Sequence, residues 1–63
     1  MTCSISAGCY FRNASDELCE VISFKPAGVI IKIYHTGGQR YYKISYTYLK
    51  KLLNCDTLHV MED

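Results

Sequence analysis

The chain has 63 residues, a formal net charge of +1 and 49% hydrophobic residues. A chain of this length is expected to form a single domain, residues 1–63, which buries only about 60% of the surface that the unfolded chain exposes. The composition excludes a disordered tail and a strongly basic nucleic-acid-binding arm.

Apolar and polar residues alternate along the N-terminal segment, which predicts a first strand over residues 2–12. The polar residues Asn13 to Asp16 predict a turn, because their side chains can bond the nearby backbone. The segment ELCEVISFK, residues 17–25, predicts a second strand. Pro26-Ala27-Gly28 then predicts a reversal, since Pro presets the backbone of a turn and Gly suits its end.

A third strand is predicted at VIIKIYH, residues 29–35, and a fourth at QRYYKI, residues 39–44. Between them, Gly37 and Gly38 can adopt the positive φ angles of a two-residue hairpin turn. The periodicity changes after Ser45, a good N-cap residue.

Leucines spaced three and four residues apart share one side of a short helix, and Asn54 suits its end. These leucines are Leu49, Leu52 and Leu53. Residues 57–60 are predicted as a short strand or as an extended tail. The expected fold class is α+β, a four-stranded antiparallel meander packed on one short C-terminal helix.

The turns also predict which residues face each other. The predicted pairs include His35 with Arg40, Tyr34 with Tyr41 and Lys32 with Lys43 across one hairpin, Phe24 with Val29 and Ile22 with Ile31 across another, and Phe11 with Leu18 across the first. All three registers agree on one inner face, which the helix would cover. That face contains Ile5, Ala7, Cys9, Phe11, Leu18, Ile22, Phe24, Val29, Ile31, Ile33, Tyr42 and Ile44.

The outer face of the predicted sheet is rich in Tyr and Lys. Exposed tyrosines and opposed lysines are poor solvent-facing choices, whereas Tyr is enriched at protein interfaces. We therefore predict a partner-binding face made of Tyr10, Tyr34, Tyr41, Lys32 and Lys43, with Lys50, Lys51 and Arg40 as secondary contacts. The alternative is a purely structural face, because Tyr stabilises strands and Lys promotes solubility.

The segment from about Val21 to Cys55 resembles the bacterial KTSC domain, a family named from the C-terminus of some lysyl-tRNA synthetases. The resemblance rests on Gly37-Gly38, Tyr41-Tyr42, Ile44 and the LKKLL segment at residues 49–53. It implies RNA binding through Tyr41, Tyr42 and Lys43.

Nothing in the sequence predicts an enzyme. Glu20, His35 and Arg40 are expected to form an ion-pair cluster at the sheet end. Acid–base catalysis by this cluster would need a substrate pocket, for which so short a chain has little room. No Cys or His pair has the close spacing of a zinc site, so no metal or other cofactor is predicted.

The N-terminal residues lack the features of a secretory signal, and no apolar run approaches the roughly 18 residues of a membrane span. A cytoplasmic protein without membrane contact is therefore predicted. In the reducing cytosol all four cysteines are expected to be thiols. They are Cys3, Cys9, Cys19 and Cys55, of which Cys9 and Cys55 are expected as small core residues and Cys19 is expected on the outer face.

The predicted function is a non-enzymatic protein-binding module, such as a stoichiometric inhibitor or adaptor of the kind that phages and mobile elements encode. A homodimer through the predicted partner-binding face would be a related outcome, because association adds burial that a small monomer lacks. The alternative is binding of single-stranded RNA or DNA, with bases stacked on the tyrosines. The balance of seven basic and six acidic residues disfavours that alternative.

Overall fold

The computed structural model describes residues 1–61 and has the α+β architecture predicted from the sequence. Within these residues the elements are β1 (Thr2–Ile5), β2 (Tyr10–Arg12), β3 (Leu18–Lys25), β4 (Gly28–His35), β5 (Gly38–Ile44), α1 (Tyr46–Leu53) and β6 (Thr57–Val60). Strands β2 to β5 form the predicted antiparallel meander in sequential order. Strands β1 and β6 form a second, two-stranded sheet.

The prediction of one continuous strand over residues 2–12 is wrong, because the chain turns at residues 6–9. Gly8 has a φ of +94°, in the region that favours glycine, and the Cys9 N–H donates to the Ser6 carbonyl at 3.2 Å. After this turn the Gly8 N–H donates to the Val21 carbonyl at 2.8 Å, and the Val21 N–H donates to the Cys9 carbonyl at 2.9 Å. Strand β2 and the two residues before it therefore join the meander, whereas β1 does not.

The N-terminal half of the expected strand pairs elsewhere. Strand β1 runs parallel to β6, with Cys3 opposite Leu58 and Ile5 opposite Val60. Of the two alternatives for residues 57–60, the structure therefore has the strand. A parallel pair needs a long connection between its strands, and here the whole meander and the helix supply it.

A disulfide joins Cys3 to Cys55, so the prediction of free thiols is wrong for these two residues. Their Cα atoms lie 5.9 Å apart, within the range that a disulfide requires. Because the bridge connects positions 52 residues apart, it restricts the unfolded chain and contributes about 4 kcal/mol to stability on the chain-entropy view. Cys9 and Cys19 are free thiols, as predicted.

A β-bulge at Ile22 changes the register between β3 and β4. Phe24 lies opposite Val29, as predicted, but Val21 and not Ile22 lies opposite Ile31. The extra residue exchanges the two faces of β3 before the bulge. Cys19, predicted on the outer face, and Val21, which is not in the predicted inner face, are completely buried.

The turn between β4 and β5 also differs from the prediction. Its central residues are Thr36 and Gly37, with Gly37 at a φ of +91°, so His35 pairs with Gly38 and not with Arg40. Each predicted partner moves by two residues, so Tyr41 lies opposite Lys32. Because side chains alternate with a period of two, this shift changes the pairs but leaves every residue on its predicted face.

The core lies between the inner face of the meander, the helix and β1. Its fully or almost fully buried members are Ile5, Val21, Val29, Ile31 and Leu49. Each large aliphatic side chain removed from water contributes about 1.5 to 3 kcal/mol. Leu49 is the one helical residue of α1 that is fully buried, so it anchors the helix to the sheet.

The helix begins and ends as the sequence predicts. The Ser45 side chain accepts the N–H of Tyr48 at 3.1 Å as N-cap, and Asn54 ends the helix in the left-handed conformation with a φ of +58°. The Tyr46 hydroxyl donates to the Lys25 carbonyl at 2.7 Å, which ties the first helical turn to the end of β3.

Gly28 is required where β4 begins, because a Cβ atom there would lie 2.5 Å from the Ile44 carbonyl oxygen. We expect Gly28→Ala to lower the free energy of unfolding by about 1 to 3 kcal/mol, since the β4–β5 pair must separate to admit the methyl group. Gly38→Ala is the matched control, because a Cβ there meets nothing within 4 Å. Urea unfolding of both variants measures the difference, and equal destabilisation would contradict the close approach.

Candidate contact face

The five predicted partner-binding residues lie on the outer face of the meander, the face opposite the helix. One cross-strand row runs Tyr10, Glu20, Lys32 and Tyr41 over β2 to β5. Tyr34 lies two residues from Lys32 on the same strand, opposite Gln39, and Lys43 lies opposite Ile30. The predicted pairs Tyr34 with Tyr41 and Lys32 with Lys43 are therefore wrong, although the face is the predicted one. We name Tyr10, Glu20, Lys32, Tyr34, Tyr41 and Lys43 the Tyr/Lys face.

Glu20 is the centre of a polar network on the Tyr/Lys face. The Tyr34 hydroxyl donates to Glu20 Oε1 at 2.8 Å, and Lys32 Nζ lies 3.8 Å from the same oxygen. Lys32 Nζ also lies 5.3 Å from the ring centroid of Tyr34 and 5.5 Å from that of Tyr41, within the range of cation–π attraction. The lysine is thus held between two aromatic rings and a carboxylate.

These contacts reinforce the ordinary charge states of Lys32 and Tyr34. The interaction with the Tyr34 hydroxyl is the main cause that raises the pKa of Lys32, and the Glu20 carboxylate acts in the same direction. The hydrogen bond to Glu20 is likewise the main cause that raises the pKa of Tyr34, because it stabilises the protonated hydroxyl. Lys32 is therefore an ammonium and Tyr34 a neutral phenol at neutral pH.

The face combines a fixed centre with exposed edges. The side chains of Lys32 and Glu20 are only 17% and 20% exposed. Tyr10 and Tyr41, at the two ends of the row, are 58% and 59% exposed. A partner would therefore meet two accessible rings that flank a preorganised polar cluster.

The secondary residues do not extend this face. Arg40 lies opposite Ile33, on the side of the sheet that carries the helix. Lys50 and Lys51 belong to the last turn of α1, in the helical layer. Tyr42 also faces the helix side, so the Tyr41 and Tyr42 pair implied by the KTSC resemblance is divided between the two faces.

Glu20 is the residue of the Tyr/Lys face that sequence reasoning misplaced. Strict alternation through β3 puts it on the inner face, whereas the bulge at Ile22 puts it between Tyr10 and Lys32. A signal was present, because burial of a carboxylate on an inner face is costly even with an ion-pair partner, and the opposite face offered lysines.

The expected cluster of Glu20, His35 and Arg40 does not form. His35 Nδ1 instead contacts Glu17 Oε2 at 2.5 Å, and the Asn13 amide donates to Glu17 Oε1 at 3.1 Å. The hairpin tip beside His35 borders an open depression of about 530 Å³, which also includes Arg40 and Tyr42 in its lining. The residues that line it include no carboxylate and no thiol.

The two free thiols have opposite environments. Cys9 is half-buried, and its hydrogen bond with the Ser6 hydroxyl, at 3.3 Å between Sγ and Oγ, is the main cause that lowers its pKa. Burial in the core raises the pKa of Cys19. Cys19 lies inside the sheet and not on the predicted outer row, so it packs against the core and is inaccessible.

Over residues 1–61, no helix is long and apolar enough to cross a membrane. In the same part of the chain no three His, Cys, Asp or Glu side chains are grouped as metal ligands would be.

Comparison with models of protein families, with curated proteins and with solved structures finds no match to this chain. The KTSC resemblance and the RNA binding that it implies therefore stay predictions.

Glu17 gives the fold a predictable response to acid. Its hydrogen bond from Asn13 is the main cause that lowers its pKa, and the contact with His35 adds to it. A carboxylate with a lowered folded-state pKa stabilises the fold above its unfolded-state pKa of about 4.3, and this stabilisation is lost as the pH falls through the folded-state value.

We therefore expect Glu17→Gln to be less stable than the unmodified protein at neutral pH, and the gap to narrow as the pH falls below about 4.3. Thermal unfolding monitored by circular dichroism at several pH values measures the gap. Asp16→Asn is the control, because the Asp16 carboxylate makes no ion pair or hydrogen bond to the described residues. A constant gap for Glu17→Gln would contradict the pKa shift.

Proposed function

We propose that this protein is a non-enzymatic protein-binding module whose contact surface is the Tyr/Lys face. It would act as a stoichiometric inhibitor or adaptor of the kind that small mobile genetic elements encode. The observation that carries the proposal is the row in which exposed Tyr10 and Tyr41 flank the fixed pair of Glu20 and Lys32. A matching partner surface is apolar opposite the rings and offers hydrogen-bond acceptors to their hydroxyls.

The tyrosines have the energetic properties of interface anchors. A Tyr ring provides a large contact area with few rotatable bonds, so it loses little entropy on binding. Tyr34 is already held by its hydrogen bond to Glu20, so its side chain loses little further conformational entropy when a partner binds. Tyr10 and Tyr41 remain open to form new contacts.

The charges on the Tyr/Lys face favour a protein over a nucleic acid. Phosphate binding uses cations that are free to replace counterions, whereas the Lys32 ammonium already interacts with Glu20 and two rings. The Glu20 carboxylate at the centre would repel phosphate. Lys50 and Lys51 belong to the helical layer, so they do not form one continuous basic surface with Lys43.

A second candidate is the binding of single-stranded RNA or DNA. One observation favours it: Tyr10 and Tyr41 expose ring surface on an open sheet, which is where bases stack in many single-strand-binding domains. Binding of this kind weakens steeply with added salt, because phosphate contacts release counterions. Salt dependence therefore distinguishes the two candidates.

The cytoplasmic location predicted from the sequence stays a prediction, and the Cys3–Cys55 disulfide bears on it. Disulfides persist in oxidising compartments and are rare in the cytosol. A cytosolic form of this protein would hold Cys3 and Cys55 as thiols and would lose the stabilisation that the bridge provides.

The contact face is tested by Tyr10→Ala combined with Tyr41→Ala. Both side chains are more than half exposed, so we expect the double variant to lose only about 0.5 to 2 kcal/mol of stability while partner binding falls about a hundredfold or more. Affinity capture from cell extract, followed by titration of the captured protein, measures the loss. Tyr48→Ala is the matched control, because Tyr48 is 51% exposed but lies on the helix.

Two results would contradict the proposal. One is a captured protein that binds the double variant and the Tyr48→Ala control equally well. The other is binding of a fluorescent single-stranded RNA that depends on the two tyrosines and fades as salt rises, which would support the second candidate instead.

A further inference from the structure

We propose that two copies of this protein associate through their β5 strands, edge to edge, to form one continuous eight-stranded antiparallel sheet. The partner at this edge is thus a second copy of the chain. The inference concerns the edge of the sheet and does not depend on the proposed function of its Tyr/Lys face.

Strand β5 is the long open edge of the meander. It pairs with β4 on one side, and among residues 1–61 no strand pairs with its other side. Six of its seven residues, Gly38 to Lys43, are exposed. The opposite edge, β2, has only three residues. An open edge of this length presents backbone donors and acceptors that another strand can satisfy, and proteins commonly cover, bend or shorten such edges.

The backbone groups available at this edge follow from the hairpin. Because His35 and Gly38 bracket a two-residue turn, they form a hydrogen-bonded pair, and such pairs then alternate along the ladder. The N–H and C=O groups of Gly38, Arg40, Tyr42 and Ile44 therefore point toward β4. Those of Gln39, Tyr41 and Lys43 point outward. The β4–β5 ladder has no register shift, so these three residues are evenly spaced and form a regular edge.

One antiparallel register satisfies all three residues at once. A two-fold axis at Tyr41 places Tyr41 opposite Tyr41 of the second copy and Gln39 opposite Lys43 of the second copy. This register pairs the full length of β5 and forms about six backbone hydrogen bonds. It is also self-complementary, as the interface of a two-fold dimer must be.

The charges of β5 agree with this register. Arg40 lies opposite Tyr42 of the second copy, where the guanidinium can stack on the ring, and neither Arg40 nor Lys43 meets a like charge directly. Moving the axis to Arg40 would place two guanidinium groups opposite each other. Charge repulsion therefore disfavours the register with its axis at Arg40 but not the register with its axis at Tyr41.

The dimer would also enlarge the outer face. In an antiparallel sheet, residues directly opposite each other point to the same side. The row of Tyr10, Glu20, Lys32 and Tyr41 would therefore continue through the same four residues of the second copy in reverse order. Two copies of the face would form one surface with the Tyr41 pair at its centre.

The register predicts how charge at position 39 changes dimer affinity. Gln39→Glu places a carboxylate opposite the Lys43 ammonium at two symmetric positions, so we expect the dimer dissociation constant to fall severalfold. Gln39→Lys places an ammonium group opposite the Lys43 ammonium at both symmetric positions, so we expect the dimer dissociation constant to rise about tenfold. Combining Gln39→Lys with Lys43→Glu restores opposite charges and should return the affinity toward that of the unmodified protein.

Sedimentation equilibrium from low micromolar to near-millimolar protein measures these constants. Circular dichroism checks that each variant folds, which is expected because Gln39 is exposed. A monomer at every concentration, with Gln39→Glu included, would overturn the inference. So would a dimer that ignores charge at position 39 but dissociates with Tyr10→Ala, since Tyr10 lies on the far strand of the sheet. Tyr10→Ala alone tests partner binding separately, because Tyr10 lies on β2 whereas Tyr41 lies at the proposed dimer axis, so either idea can fail without the other.

Discussion

The bulge at Ile22 is the constraint on which the rest of this structure depends. The inward positions of β3 are Cys19, Val21 and Phe24, and the last interval is three residues long. A regular strand cannot place both Val21 and Phe24 inward, because side chains alternate with a period of two. The extra residue resolves this conflict. It allows Val21 to pack with Val29, Ile31 and Leu49 in the core.

The same bulge determines the chemistry of the opposite face. Once Val21 points inward, its neighbour Glu20 points outward and lies between Tyr10 and Lys32. The hydrogen bond from Tyr34 and the Lys32 ammonium then satisfy the carboxylate. Core packing and the polar network of the Tyr/Lys face are therefore two consequences of one local irregularity.

Much of the architecture is predictable because strong local signals specify it. The helix caps Ser45 and Asn54, the reversal at Pro26 and the alternation in β4 each have a direct physical cause in the sequence. The outer face was also predicted, although its pairs were not. The turn at Thr36 moved the β4–β5 pairs by two residues, and a shift of two preserves the faces.

What could not be predicted depends on single-residue shifts and on distant contacts. The bulge shifts the register of β3 by one residue. The loop between β2 and β3 spans residues 13–17 and is one residue longer than the predicted turn of residues 13–16. This second shift returns Tyr10 to the outer side. The two errors cancel at β2 but not in β3. The Cys3–Cys55 disulfide and the parallel pairing of β1 with β6 join the two ends of the chain, and no local pattern indicates them.

The function proposed for this protein requires the Tyr/Lys face to be assembled as the structure has it, with Glu20 outside and Val21 inside. Strand pairs that lack mutual backbone hydrogen bonds bring their Cα atoms closest, and Val21 with Ile31 is such a pair. The most direct measurement is therefore a nuclear Overhauser spectrum that identifies the residue whose Hα lies against the Hα of Ile31. The bulged register predicts a cross-peak to Val21. A cross-peak to Ile22 in its place would restore strict alternation, return Glu20 to the inner face and contradict the contact face.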